Sequence, residues 1–139
     1  MRIGFVGHLQ WTNDLSVGLE EMDQEHMHLI ELMDELHFWA LNPKAELEKL
    51  KTSFQTLIQA TQKHFAHEEN ILESRAYPDL KRHKQVHHEL LTRLDQEYRQ
   101  LESGNRWAPE SCLNFFQFWL KTHIKGVDQK YGHFFKKKP

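Results

Sequence analysis

Apolar residues recur along most of this chain at intervals of three and four. Leu29, Met33 and Leu36 form one such stripe, and Phe54, Leu57, Ile71 and Leu72 lie along a second. Leu90, Leu94 and Leu101 mark a third, and Leu113, Phe116, Leu120 and Val127 a fourth. That spacing brings side chains to one face of a helix. The interruptions are few: Gly18, then Asn42-Pro43, then Tyr77-Pro78-Asp79, then residues 103–109 with Gly104 and Pro109. The pattern predicts helices over 20–40, 44–75, 79–102 and 109–133. No segment alternates with period two, so strands are not expected. Four similar helices joined by mostly short connections predict an all-α, up-down-up-down four-helix bundle. Residues 1–19 are predicted to form an extended N-terminal arm whose Trp11 and Leu15 pack on the bundle. Residues 134–139 are predicted to be a solvated basic tail carrying Lys136–Lys138.

The polar residues on those apolar faces change the picture. His26 lies one turn before Leu29, Ile30 and Met33. Leu57, Thr61, His64 and Glu68 step by four, three and four along a single stripe, and His83 and His87 precede Leu90 and Leu94 on another. The fourth helix places His123 after Leu113, Phe116 and Leu120. Every helix thus points at least one histidine into the core. A buried imidazole needs a partner for each ring nitrogen, and a buried carboxylate needs a counter-charge. Five converging imidazoles with a carboxylate, and no Lys or Arg in the same stripes, fit a bound metal, which accepts the lone pairs and supplies the positive charge. Single His-x-x-x-His or His-x-x-x-Glu pairs arise by chance in so histidine-rich a chain. The ordered set, one element per helix, is what carries the argument.

Composition narrows the alternatives. The 139 residues fit one domain, here residues 1–139 with the bundle over 20–133. The 11 histidines are the outstanding feature, because imidazole is the commonest metal ligand. A formal net charge of −2 gives no reason to expect nucleic acid or an anionic membrane as partner. The segment MRIGFVGHLQW has no apolar run long enough for a signal peptide, and no stretch approaches the ~20 apolar residues of a membrane span. With its single cysteine, Cys112, the chain is expected in a reducing cytoplasm.

Three stretches also carry a family resemblance: Met22-Asp23-Gln24-Glu25-His26, then His64-Phe65-Ala66-His67-Glu68-Glu69, then Tyr77-Pro78 followed by His83-x-x-x-His87. A fourth is Trp119-Leu120-x-x-His123-Ile124-x-x-x-Asp128-x-x-Tyr131. From about Trp11 to Tyr131 the chain resembles the hemerythrin family, specifically its bacterial single-domain members. Glu25 stands where that family often has Gln, Leu72 where it commonly has Met, and His67 and His88 are additional histidines. Bundle topology of this kind includes myohemerythrin among its standard examples.

The resemblance implies two iron ions, Fe2+ or Fe3+, bridged by Glu68, Asp128 and an oxo or hydroxo group. His26 and His64 would bind one iron, and His83, His87 and His123 the other. Two octahedral irons offer about twelve positions, of which these ligands fill all but one, on the iron with two histidines. An open position is what a site needs to bind a small molecule. The implied function is reversible O2 binding, for storage, delivery or sensing, with NO or peroxide as other small ligands. Leu120, Trp119, Phe65 and Ile30 are candidates to line an apolar O2 pocket. Tyr131 is a candidate to hydrogen-bond a ligand carboxylate. The competing readings are a di-iron redox enzyme (an oxidase, a peroxidase or a nitric oxide-processing protein) and a structural zinc bundle. The histidine-rich set disfavours the first, and five imidazoles are too many for one tetrahedral zinc. One local mismatch stands out. Asp128 follows His123 by five residues, about 140° away on a regular helix, so either the helix is locally irregular there, a π-bulge being one form of this, or Asp128 reaches round to the metals. The remaining histidines, His8, His28, His37, His67, His88 and His133, are expected at the rim or in solvent.

Overall fold

The computed structural model describes residues 9–137; His8 and Lys138 lie outside that range. A single turn of tight helix at Asn13–Leu15 interrupts the arm. The bundle follows as α1 (Glu20–Ala40), α2 (Leu47–Ser74), α3 (Leu80–Glu102) and α4 (Ala108–His123). A π turn spans Ile124–Asp128, and α5 (Gln129–Lys137) continues beyond it. Each of α1 and α3 packs against both α2 and α4, which is the ring order of an up-down-up-down bundle. No helix among the described residues is long and apolar enough to cross a membrane.

The helix ends explain the chain reversals. Residues 42–45 are held in a turn by Asn42, whose Oδ1 accepts from Lys44 N and whose carbonyl accepts from Ala45 N, so α2 starts at Leu47 rather than at 44. At the end of α2, Tyr77 N donates to Leu72 O and Ala76 N to Glu73 O, with Ala76 in the left-handed region at φ 53. The end of α3 repeats this arrangement with Gly104 at φ 105, its N–H on Leu101 O and Asn105 N on Gln100 O.

The core divides along the bundle axis. At the end where α1 finishes, Leu36, Phe54, Leu57, Leu94, Leu113 and Phe116 form an apolar interior, all fully buried. Toward the opposite end the interior turns polar, with His26, His64, Glu68, His83, His87, His123 and Asp128 buried among the helices. The arm and α5 close that end. Leu15 and Val17 are buried, Trp11 packs against the core, and Val17 N and Ser16 Oγ donate to the two carboxylate oxygens of Asp23 in the first turn of α1. Gln129 Nε2 donates to Asp14 O, and Lys125 Nζ to Asp14 Oδ2 at 2.6 Å. A Cβ on Gly132 would collide with the Val17 carbonyl, so this close crossing requires glycine.

Two expectations need correction. Residues 134–137 are helical rather than tail, because Phe134 and Phe135 pack against the core and the Arg75 guanidinium lies 4.6 Å over the Phe135 ring. His37 is fully buried rather than at the rim.

Candidate metal centre

The five histidines on the bundle's inner faces approach two carboxylates that are themselves sealed from solvent, Glu68 at 1% and Asp128 at 0% exposure. The imidazoles fall into two groups. The rings of His26 and His64 are 4.6 Å apart, while His83 lies 4.4 Å from His87 and 5.5 Å from His123. Each carboxylate turns one oxygen to each group. Glu68 Oε2 is 3.7 Å from His64 Nε2 and 3.9 Å from His26 Nε2, and Glu68 Oε1 is 2.7 Å from His83 Nε2 and 3.1 Å from His87 Nε2. Asp128 Oδ2 is 3.3 Å from His26 Nε2, whereas Asp128 Oδ1 is 3.1 Å from His123 Nε2 and 3.3 Å from His83 Nε2. Two sets of donor atoms are therefore compact enough to hold a cation, His83, His87, His123, Glu68 and Asp128 in one and His26, His64 and Glu68 in the other.

Asp128 reaches this position because of the π turn. The wider turn over Ile124–Asp128 lets its side chain join that of His123 across a five-residue spacing.

The protein alone does not satisfy this cluster. Among the described residues, His26, His87 and His123 each bury an Nε2 atom without a hydrogen-bond partner, as Asp128 does both its oxygens. Buried polar atoms of this kind are costly and rare, and several of them aimed at one place mark a ligand that belongs there. The electrostatics agree. Burial alone would push Glu68 and Asp128 upward, yet the surrounding imidazoles hold both well below the usual carboxylate range. Burial likewise disfavours charge on His83, but the nearby Asp128 and Glu68 carboxylates, the latter hydrogen-bonded to its Nε2, outweigh it and raise its pKa to about 10. Two anions facing nitrogen lone pairs fit a divalent or trivalent cation in place of protons.

Surrounding residues fix the ring orientations. Glu25 Oε1 accepts from His64 Nδ1 at 2.7 Å and Glu69 Oε2 from His87 Nδ1 at 2.8 Å, which leaves each Nε2 bare toward the interior. The Tyr131 hydroxyl donates to Glu68 Oε2 at 2.8 Å. Phe65 stacks face to face on His87 at 3.7 Å, and Trp119 on His123 at 4.3 Å. Leu120 and Ile30 are buried core residues.

Sequence reasoning missed Glu25 and Glu69 as partners of the histidines. Both are partly exposed acids on helix flanks, and the only available signal was their adjacency to His26 and Glu68 in the chain. His67, expected at the rim, is 40% exposed and also gives its Nδ1 to Glu25, at 2.6 Å from Oε2. His28, His88 and His133 are exposed.

Residues 17–134 match the family described as the hemerythrin HHE cation binding domain. The chain is 30% identical over 124 residues to a bacteriohemerythrin of Stenotrophomonas maltophilia (strain R551-3), covering 89% of this chain and 79% of that protein. It is 26% identical over 122 residues to a myohemerythrin of Theromyzon tessulatum, covering 88% and 89%. A wild-type hemerythrin crystal structure superposes with a TM-score of 0.83 at 23% identity, over 90% of this chain and 95% of that one, a likeness of fold.

Proposed function

Because the chain belongs to the hemerythrin family, we propose that it binds O2 reversibly at a non-haem di-iron site built from these residues. The observation that carries this reading is the division of each buried carboxylate, one oxygen toward the His26 and His64 pair and the other toward the three-histidine group. That is how a bridging ligand must stand.

In this reading His26 and His64 would hold one iron, and His83, His87 and His123 the other, with Glu68 and Asp128 within reach of both. Iron held there would supply the electrons that O2 takes up reversibly, and the smaller histidine set, His26 and His64, would leave more of its side to a small ligand. The protein's own part is orientation and exclusion. Glu25 and Glu69 fix the tautomers of His64 and His87, so that Nε2 is the free donor. Tyr131 restrains one oxygen of Glu68. The rings of Phe65 and Trp119, stacked on His87 and His123, cover the histidines with apolar surface, and Leu120 and Ile30 extend it, which keeps water from a reactive centre. A histidine-rich set with only two carboxylates favours binding over oxygen activation, so the protein is read as a carrier or sensor rather than an enzyme. We assign it to the cytoplasm, supported by a free, buried Cys112.

The test is spectroscopic. Metal analysis of the iron-loaded protein should give about two irons per chain, one for each histidine group. After anaerobic reduction, a visible absorption band should appear on admitting air and disappear under vacuum. Immediate oxidation with no reversible band would sink the carrier reading. Substitution His87→Ala should abolish the paired site.

A further inference from the structure

His67 lies outside the seven proposed ligands, yet it is tied to one of them. Its Nδ1 stands 2.6 Å from Glu25 Oε2, while the other oxygen of that carboxylate, Oε1, is 2.7 Å from His64 Nδ1. Its Nε2 faces Glu21 Oε2 at 3.5 Å. An ionised carboxylate only accepts hydrogen bonds, so both histidines donate to Glu25. The arrangement is a relay from the surface to the metal site: His67, Glu25, His64. A 290 Å³ hollow bordered by His28, Leu29, Ala60 and Lys63 opens beside it, so the outer end of the relay meets solvent. A second anchored histidine lacks this arrangement: Glu69 takes Nδ1 of His87 at 2.8 Å, and among the described residues no other histidine is seen to share it.

We infer that His67 is a positioning residue that sets how strongly His64 donates to its metal, acting through the shared carboxylate of Glu25. A carboxylate behind a metal-bound imidazole draws on its N–H and makes the ring a richer donor. A second hydrogen bond to the same carboxylate takes up part of its charge and weakens that pull. With His67 in place, His64 is a poorer donor than Glu25 alone would make it, and the ferrous state is favoured. Ferrous iron is the state that takes up O2, so the relay works against loss of the site to oxidation. This inference rests on the proposed ligation of iron by His26 and His64. His67 and Glu25 are 40% and 30% exposed, so water screens the effect and keeps it modest.

The experiment is a potentiometric titration of the iron-loaded protein, with iron content measured alongside. In His67→Leu the midpoint potential should fall, with the oxidised-to-reduced ratio at fixed poise rising about threefold, ~28 mV for a one-electron couple at 59 mV per tenfold. His67→Gln, whose amide can still donate to Glu25, should return the potential to the parent value. Glu69→Gln, which removes a charged acceptor from behind His87, should move it the other way. General damage to the fold would not give opposite signs. In the iron-free protein, the 15N resonance of His64 Nδ1 should move in His67→Leu and be restored in His67→Gln. An unshifted or raised potential in iron-loaded His67→Leu, or an unmoved nitrogen resonance, overturns the relay. Failure of the parent protein to hold two irons overturns the di-iron reading instead, and the nitrogen resonance still decides the relay.

Discussion

A carboxylate taken out of water loses several kcal/mol of hydration unless hydrogen bonds and counter-charge replace it. Glu68 meets that requirement with histidine nitrogens and with the hydroxyl of Tyr131, 2.8 Å from its Oε2. Tyr131 is itself buried, and burial together with the adjacent Glu68 and Asp128 raises the pKa of its phenol, so it stays a neutral donor. Tyr131→Phe keeps the ring packing and removes one donor from a buried anion. It should cost about 1–3 kcal/mol of unfolding free energy, read from denaturant melts. Cys112 illustrates burial without compensation. Desolvation, reinforced by Glu97 and partly offset by Arg93, pushes its thiol up to about 12. The nucleophile is the thiolate, so iodoacetamide at pH 8 should leave Cys112 unmodified in the folded protein and label it on unfolding. The unfolded thiol ionises near pH 9 while the folded one keeps its proton, so this group lowers stability as pH rises from about 9 toward 12.

At the scale of elements, the two ends α2 and α3 share a backbone path but not a residue type. Gly104 enters the left-handed region freely, and Ala76 does so against its Cβ, at φ 53. Ala76→Gly should therefore stabilise the protein by up to about 1 kcal/mol, measured as a raised denaturation midpoint with unchanged slope. The π turn is the other element with a specific use. Gly126 within it is exposed and has open space around the Cβ position, so the turn does not exist for its sake. Deleting Gly126 would leave Asp128 four residues after His123, a spacing that a regular helix holds on one face, so the π turn should close to plain helix while metal analysis still gives about two irons per chain. The helices themselves were legible in the sequence, because three-and-four spacing of Leu and Phe is a property of the chain alone. So was the inward aim of His26, His64, Glu68, His83, His87 and His123, since each shares a face with those residues. Asp128 was not legible in that way. Five residues is the wrong spacing for a regular helix, and only the resemblance pointed to it. Glu25 and Glu69 were hidden for a different reason: a half-exposed acid on a helix flank has the same pattern whether it faces water or a neighbouring imidazole. Phe134 and Phe135 went unread because the lysines after them dominate the local composition.

For the whole molecule, the candidate site is a junction of all four bundle helices, with donors from α1, α2, α3 and the segment running from α4 through the π turn. A ligand that binds only the folded arrangement stabilises it by mass action, about 4 kcal/mol at a thousandfold excess over its dissociation constant. Iron removal should lower the melting temperature measured by circular dichroism, and restored iron should return it. Equal melting temperatures with and without iron would show that the donors do not act as a metal site. The fold also lays the arm along the last helical segment. The arm reaches α5 and its approach through the Asp14 contacts to Lys125 and Gln129, and Val17 crosses Gly132 closely enough to exclude a side chain. The arm runs parallel to that segment, from Leu9, whose N–H donates to Gln117 in α4, to Val17 beside Gly132 in α5. The arm is thus a clasp over α4, the π turn and α5, and releasing it should free the last helix before the bundle itself opens.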